Sequence, residues 1–199
     1  MASAAETIPE LFHRTAAARP DAPWLHTDER RWTYAEADRA IAAAAAALAA
    51  RGIGSGDVVL ATARNEPGYL FAWLAAMRIG AVYVAIDPRL AGAELAGLLE
   101  QVRPALAVSD GELLDAVAAT GAAEATVPVA DLAAGDSGAA PAPAARPDDP
   151  AVLIPTSGTT GRSKLVTQTQ RAYAMAGEGF PAWMGLGADD RLMTSLPLF

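Results

Sequence analysis

The 199-residue sequence predicts an α/β fold in which a mostly parallel sheet carries helices on both faces. Three stretches, 57–62, 81–86 and 105–108, are mostly apolar. They lack the alternation of apolar and polar residues that marks a strand with one solvent-exposed face, so each is expected to be a buried strand. The stretches between them show helical spacing of apolar residues. Parallel strands need such crossover segments, which are right-handed and place helices against the sheet.

The composition favours a globular protein and excludes several functional classes. Hydrophobic residues make up 52% of the chain and charged residues 19%, and the net charge of −8 argues against a nucleic-acid-binding protein. The absence of cysteine excludes disulfides, thiolate metal sites and a cysteine nucleophile. The start lacks the features of a secretory signal, and the longest apolar run, 40–50, is far shorter than the ~20 residues of a membrane span. We therefore expect a cytoplasmic protein without a membrane span; the composition leaves the oligomeric state open.

Two capping boxes open the first helices. Thr7-Ile-Pro-Glu10 predicts a helix that stops near Pro20, and Thr33-Tyr-Ala-Glu36 predicts an alanine-rich helix that ends at Gly52. Between them, 24–27 and 31–33 are predicted to be short strands around a charged turn.

The remaining elements follow the strand–helix alternation. A helix is expected from Asn65-Glu-Pro to Gly80. Further predicted elements are helices at 94–102, 113–118 and 170–183, and strands at 126–129, 151–154, 166–169 and 191–195. Residues 133–150, rich in Gly, Ala and Pro, are predicted to be an exposed connection rather than a domain boundary, because the sheet pattern resumes at Ala151.

One loop carries the chemistry of a phosphate site. Thr156-Ser157-Gly158-Thr159-Thr160-Gly161 supplies four hydroxyls and two glycines that let the backbone approach a ligand, and Lys164 adds a positive charge. It is not a Walker A sequence, because Arg162 and Ser163 intervene before the lysine and β-branched residues follow it. Lys164 is therefore predicted to lie on one strand of a β-hairpin. From the composition of the loop alone, two interpretations remain open: a phosphate-binding loop and an ordinary solvated hairpin loop.

Other candidate residues favour structural roles. His13 and His26 have no partner at metal-ligand spacing, Asp148-Asp149 and Asp189-Asp190 fit solvated turns, and Phe71, Trp73 and Met77 have the spacing of a helix core.

The loop resembles the phosphate-binding signature of the adenylate-forming superfamily: acyl-CoA synthetases, carrier-protein adenylation domains and luciferases. Three further stretches are similar to family motifs and stand in the expected order: Trp32-Thr-Tyr-Ala-Glu36, Met77-Arg-Ile-Gly-Ala-Val-Tyr-Val-Ala-Ile-Asp-Pro88 and Leu196-Pro-Leu-Phe199. Ser163 stands in place of a usual proline, Leu165 in place of a glycine and Ala85 in place of a common proline. The sequence after Gly161, residues 162–166, is more similar to that of acyl-CoA ligases than to that of peptide-synthetase domains.

The resemblance implies that residues 1–199 are the N-terminal portion of a large adenylation domain, an incomplete fold that is inactive alone. It implies ATP-dependent activation of a carboxylic acid to an acyl-adenylate, followed by thioester formation with CoA. The side chains of Thr156, Ser157, Thr159 and Thr160, with the backbone of Gly158 and Gly161, would bind the β- and γ-phosphates. Lys164 would hold the departing pyrophosphate. Mg²⁺ is implied as cofactor, with its protein ligand outside this chain.

Two alternatives remain at this point. An adenylation domain that loads a carrier protein shares every motif present here. A non-catalytic α/β module, which binds polyphosphate weakly or not at all, is the other.

Overall fold

A six-stranded sheet forms the centre of the computed structural model, which describes residues 7–121, 123, 125–133, 141–156 and 163–198. Its strands are β3 (Val58–Thr62), β4 (Val82–Ala85), β5 (Leu106–Ser109), β6 (Thr126–Pro128), β7 (Pro150–Thr156) and β8 (Lys164–Thr169). They lie in the order β6-β5-β3-β4-β7-β8. All neighbours are parallel except β7 and β8, which form an antiparallel hairpin. The α/β class and the mostly parallel sheet are therefore confirmed.

The N-terminal helices begin where the two capping boxes predict. In α1 (Ile8–Ala18), the Thr7 hydroxyl accepts from the Glu10 amide while the Glu10 carboxylate accepts from the Thr7 amide, and α2 (Tyr34–Ala50) repeats this exchange between Thr33 and Glu36. Each box satisfies two amides that the first turn of a helix would leave unpaired. The short strands β1 (Pro23–His26) and β2 (Arg31–Thr33) pair in an antiparallel ribbon between the two helices.

Helices cover the sheet on both faces. The crossover helix α3 (Pro67–Arg78) joins β3 to β4 and packs with α1 and α2 on one face. Small residues of α2, such as Ala44 and Ala45, are fully buried there, which lets α3 approach closely. On the opposite face, α4 (Gly92–Val102) and α5 (Gly111–Ala118) bury Leu99 and Val117 against the strands. The connections that leave β3 and β4 therefore go to opposite faces of the sheet.

The β6–β7 connection contains a helix that the sequence pattern does not indicate. Residues 129–133 form α6 (Val129–Ala133), and the predicted strand at 126–129 ends one residue earlier. Val129 and Leu132 are buried, so packing against α2 and α3 selects this short helix. Of the predicted connection 133–150, the described part 141–149 is exposed or half-buried, and Pro150 already belongs to β7.

The predicted strand at 191–195 is wrong. These residues pair with no strand among those described, and Leu192 and Met193 are 72% and 93% exposed. The apolar pair Leu192-Met193 favours a strand, but a strand also needs a neighbour for its backbone groups, and no described strand pairs with residues 191–195.

The last described helix, α7 (Gln170–Met184), follows β8 directly and is capped by the hydroxyl of Thr169. In the described part of the chain, no helix has both the length and the apolar character needed to cross a bilayer.

Candidate functional site

The β7–β8 hairpin brings the two ends of the Ser/Thr/Gly loop together. Thr156 ends β7 and lies opposite Lys164, the first residue of β8, and the Thr156 hydroxyl donates to the Lys164 carbonyl over 3.2 Å. Both side chains are exposed. Lys164 therefore lies on a strand, as predicted, rather than at the start of a helix. Thr156 and Lys164 flank the connecting loop, and we call this end of the hairpin the hairpin mouth.

Thr156 and Lys164 are the two predicted phosphate-binding residues within the described part of the chain. Ser157, Gly158, Thr159, Thr160 and Gly161 lie outside the described residues, so their assignment to phosphate stays a prediction. Thr156, Ser163 and Lys164 fix where the loop leaves the sheet and where it returns. A hydroxyl and an ammonium group at that position have the chemistry to bind phosphate oxygens.

The hairpin mouth lies at the carboxyl end of the parallel strands. In open α/β sheets, ligands bind in the crevice outside this end, where connections from neighbouring strands leave to opposite faces. The connections after β3 and β4 diverge in this way. The loop is thus at the edge of the sheet where a ligand site is expected.

A cavity of about 430 Å³ adjoins the loop. Thr156 and Ser163 belong to its wall, as do residues just after β4, including Ile86 and Asp87. A volume in this range suits a small-molecule ligand, and such sites combine an apolar wall with a few polar groups.

Three aromatic residues contribute to the apolar wall of the cavity. Trp73 stacks on Tyr83 with ring centroids 6.3 Å apart and meets the Tyr173 ring edge-on at 5.6 Å. Desolvation raises the pKa of the Tyr83 and Tyr173 hydroxyls, so both stay neutral at physiological pH.

The prediction for the α3 residues is correct only in part. Phe71 and Met77 are buried core residues, as expected. Trp73 is half-buried and lines the cavity, where its ring contacts Tyr83 of β4 and Tyr173 of α7. Helical spacing identifies a buried face but does not show that part of this face borders a cavity.

Asp87 and Arg89 form a bidentate ion pair at the rim. The Arg89 guanidinium donates to the two Asp87 carboxylate oxygens at 3.0 and 2.7 Å. These hydrogen bonds lower the pKa of the Asp87 carboxyl. Arg89 is exposed and Asp87 is half-buried, and the arginine compensates a negative charge that would otherwise oppose an anionic ligand.

A second acidic group lies near the carboxyl ends of β3 and β5. Glu66 precedes α3, and Asp110 precedes α5 and accepts a hydrogen bond of 3.2 Å from the Arg64 amide. Burial, and then the nearby Asp110 charge, raise the pKa of the Glu66 carboxyl. Sequence spacing does not reveal this proximity, because 44 positions separate the two residues and only the pairing of β3 with β5 brings them together.

The remaining polar candidates have structural roles. His13 contacts the Asp38 carboxylate at 3.0 Å, the exposed Asp148 pairs with Arg171 at 2.8 Å, and the Asp190 carboxylate closes a turn by accepting from the Gly187 amide. Within the described ranges, no cluster of three or more His, Cys, Asp or Glu side chains could hold a metal ion.

The parallel sheet, the loop at its carboxyl end and the adjoining cavity define an α/β protein with a candidate site for a phosphate-bearing ligand. The chain belongs to the AMP-binding enzyme family, whose model matches residues 12–199.

Two curated relatives show the range of this family. The chain is 32% identical to the medium/long-chain-fatty-acid–CoA ligase FadD6 of Mycobacterium tuberculosis, over 97% of this chain and 34% of that protein. It is 29% identical to CymA of Salinispora arenicola, a probable non-canonical nonribosomal peptide synthetase, over 94% of this chain and 2% of that protein. The chain thus spans about a third or less of the length of these relatives.

A solved structure supports the fold. The N-terminal domain of FACL13 from Mycobacterium tuberculosis matches with a TM-score of 0.88 and 25% identity, covering 97% of this chain and 52% of that domain. The described residues therefore have the fold of the N-terminal part of such a domain.

Proposed function

We propose that the complete protein containing this chain activates a carboxylic acid with ATP and then transfers the acyl group to CoA. The observation that carries the proposal is the hairpin mouth, where Thr156 and Lys164 face each other at the carboxyl end of the sheet beside an apolar cavity. This arrangement supports the proposal, because a hydroxyl and an ammonium group suited to phosphate lie beside a wall suited to a carbon skeleton.

The proposed reaction has two steps. A carboxylate oxygen of the acid attacks the α-phosphorus of ATP, the bond between the α-phosphorus and the bridging oxygen breaks, and pyrophosphate leaves with that electron pair. The thiol sulfur then attacks the acyl carbon, AMP departs with the electron pair of the acyl–oxygen bond, and the thiol proton passes to solvent.

In the first step, Lys164 and the loop hydroxyls stabilise negative charge as it builds up on the departing pyrophosphate. Such stabilisation and correct positioning are the main contributions a protein makes to transfer at phosphorus. Mg²⁺, for which we expect a ligand beyond these 199 residues, supplies further neutralisation of phosphate charge when bound.

Exchange of radiolabelled pyrophosphate into ATP tests this role in the complete protein. Lys164→Ala is expected to slow exchange at least about tenfold. Arg31→Ala is a matched control, since it removes an exposed positive charge from β2, on a separate sheet, and is expected to leave exchange unchanged. Unchanged exchange in the Lys164→Ala protein would contradict the role assigned to the lysine.

The second candidate function is loading of a carrier-protein thiol instead of CoA, which the similarity to CymA favours. Mass analysis of the product distinguishes the two acceptors. An acyl-CoA formed from ATP, acid and CoA supports the ligase, whereas an acyl group found only on a phosphopantetheine-bearing carrier protein supports the alternative.

The isolated 199-residue chain is expected to be inactive. It spans about a third of FadD6, so the groups that complete the site would come from the rest of such a protein. Formation of an acyl-adenylate by this chain alone would refute that expectation.

A further inference from the structure

The segment 191–198, which forms no helix or strand, is joined to the β3–α3 connection by the side chain of Asn65. The Asn65 amide nitrogen donates to the Leu196 carbonyl over 2.8 Å, and its amide oxygen accepts from the Leu198 backbone amide over 3.0 Å. The chain bends at Leu196, so these two hydrogen bonds fix the backbone on both sides of Pro197.

The two leucines flanking Pro197 have different environments. The side chain of Leu196 is 72% exposed, whereas Leu198 is half-buried and lines the cavity together with Trp73 and Tyr173. The position of the Leu198 backbone, which Asn65 contacts directly, therefore sets where this part of the cavity wall stands.

Asn65 is itself held by the sheet. It lies in the short connection between β3 and α3, one residue before the N-cap Glu66, and the neighbouring Arg64 amide donates to the carboxylate of Asp110, which directly follows β5. The carboxamide thus links the segment to two adjacent strands of the core.

We infer that Asn65 is a positioning residue for binding of the carboxylic acid, acting through Leu198. The inference rests on the proposed function. The phosphate chain of ATP belongs at the polar loop between Thr156 and Lys164, whereas the apolar wall that includes Leu198 suits the carbon skeleton of the acid. Loss of the Asn65 contacts therefore affects the acid and leaves the polyphosphate site intact.

The kinetic test is pyrophosphate exchange in the complete protein. Asn65→Ala is expected to raise the KM for the acid by roughly tenfold while the KM for ATP and the melting temperature stay unchanged. Asn65→Asp keeps the acceptor for the Leu198 amide but loses the donor to Leu196, so an intermediate KM is expected. Thr194→Ala is the matched control, because the Thr194 hydroxyl accepts a hydrogen bond from the Leu196 amide within the same segment and does not involve Asn65, and the acid KM is expected to stay unchanged.

Hydrogen exchange in the complete protein supplies a second readout that is independent of activity. The Leu198 amide is expected to exchange faster in Asn65→Ala than in the wild type and to keep its protection in Asn65→Asp.

The outcomes separate the two claims. An active Asn65→Ala protein with an unchanged acid KM would overturn the inference alone, as would an equal rise in the KM values for acid and ATP or a lowered melting temperature, since these indicate a general structural role. A complete wild-type protein that shows no pyrophosphate exchange with any carboxylic acid would overturn the proposed function and this inference together.

Discussion

The side-chain amide of Gln170 donates a hydrogen bond of 3.1 Å to the Met77 carbonyl, across 93 positions of sequence. Gln170 is fully buried, and it is the first residue of α7, directly after β8. The Gln170 backbone amide also donates to the Asp149 carbonyl, just before β7. Gln170 thus links the end of the hairpin where β7 begins and β8 ends to the last turn of α3.

Gln170→Ala is expected to lower the free energy of unfolding of the 199-residue chain by about 2 kcal/mol, since it removes a buried hydrogen bond and leaves unfilled space. Urea denaturation followed by circular dichroism measures the change. Thr167→Ala is the comparison, because Thr167 is exposed on β8 and its loss is expected to cost little. Equal stability of the wild type and the Gln170→Ala protein would mean that the hairpin does not depend on this contact.

Lys164 is the single lysine of the sequence, which makes it a specific target for amine-reactive reagents. Its side chain is exposed at the hairpin mouth. Pyrophosphate or ATP bound at the loop is expected to slow acetylation of Lys164 in the 199-residue chain, because the ammonium proton is then held by a phosphate oxygen. Mass spectrometry of the labelled peptide measures the rate, and the N-terminal amine serves as internal reference. Equal protection by sulfate and by pyrophosphate at the same ionic strength would indicate simple charge screening.

Glu66 is expected to make the chain less stable as pH rises. Because burial raises the pKa of its carboxyl in the folded state, the folded protein holds the proton more tightly than the unfolded chain does. The free energy of unfolding therefore falls between the ordinary glutamate pKa and the raised value, and stays at the lower level above it. Glu66→Gln removes the ionisation, so this variant is expected to be more stable than the wild type at neutral pH.

Glu36→Gln provides a comparison of opposite sign. A hydrogen bond from the Thr33 backbone lowers the pKa of the Glu36 carboxyl, so its ionised form stabilises the folded state and that stability is lost as pH falls. Thermal unfolding between pH 4 and pH 8 distinguishes the two variants. A Glu66→Gln melting temperature below that of the wild type at neutral pH would show that the Glu66 carboxylate is stabilised after all.

Local signals in the sequence account for most of the fold. The hydroxyl and carboxylate of each capping box lie three residues apart, and the buried strands are continuous apolar runs, so both are visible in short windows. The β-branched residues after Lys164 predict its position on a strand of the hairpin. These features depend on neighbours in sequence and are therefore predictable.

What could not be predicted depends on contacts between distant residues. Glu66 meets Asp110 only because β3 pairs with β5, and α6 forms because Val129 and Leu132 find a buried surface. The segment 191–195 was expected to form a strand but has no strand neighbour among the described residues, and the residues that follow it bond to the side chain of Asn65 instead. Residues whose partners are far away in sequence thus mark the limit of pattern-based prediction.

β8 is the outermost strand of the described sheet, and its only charged side chain is Lys164. The backbone groups on its outer side must bond to water or to a further strand, and exposed Val166 adds an apolar surface beside them. A strand added here, from the same polypeptide or from another molecule, would lie directly against the lysine that we assign to pyrophosphate. Pairing of a further strand with β8 and binding of phosphate at the loop are therefore expected to influence each other, because both involve β8.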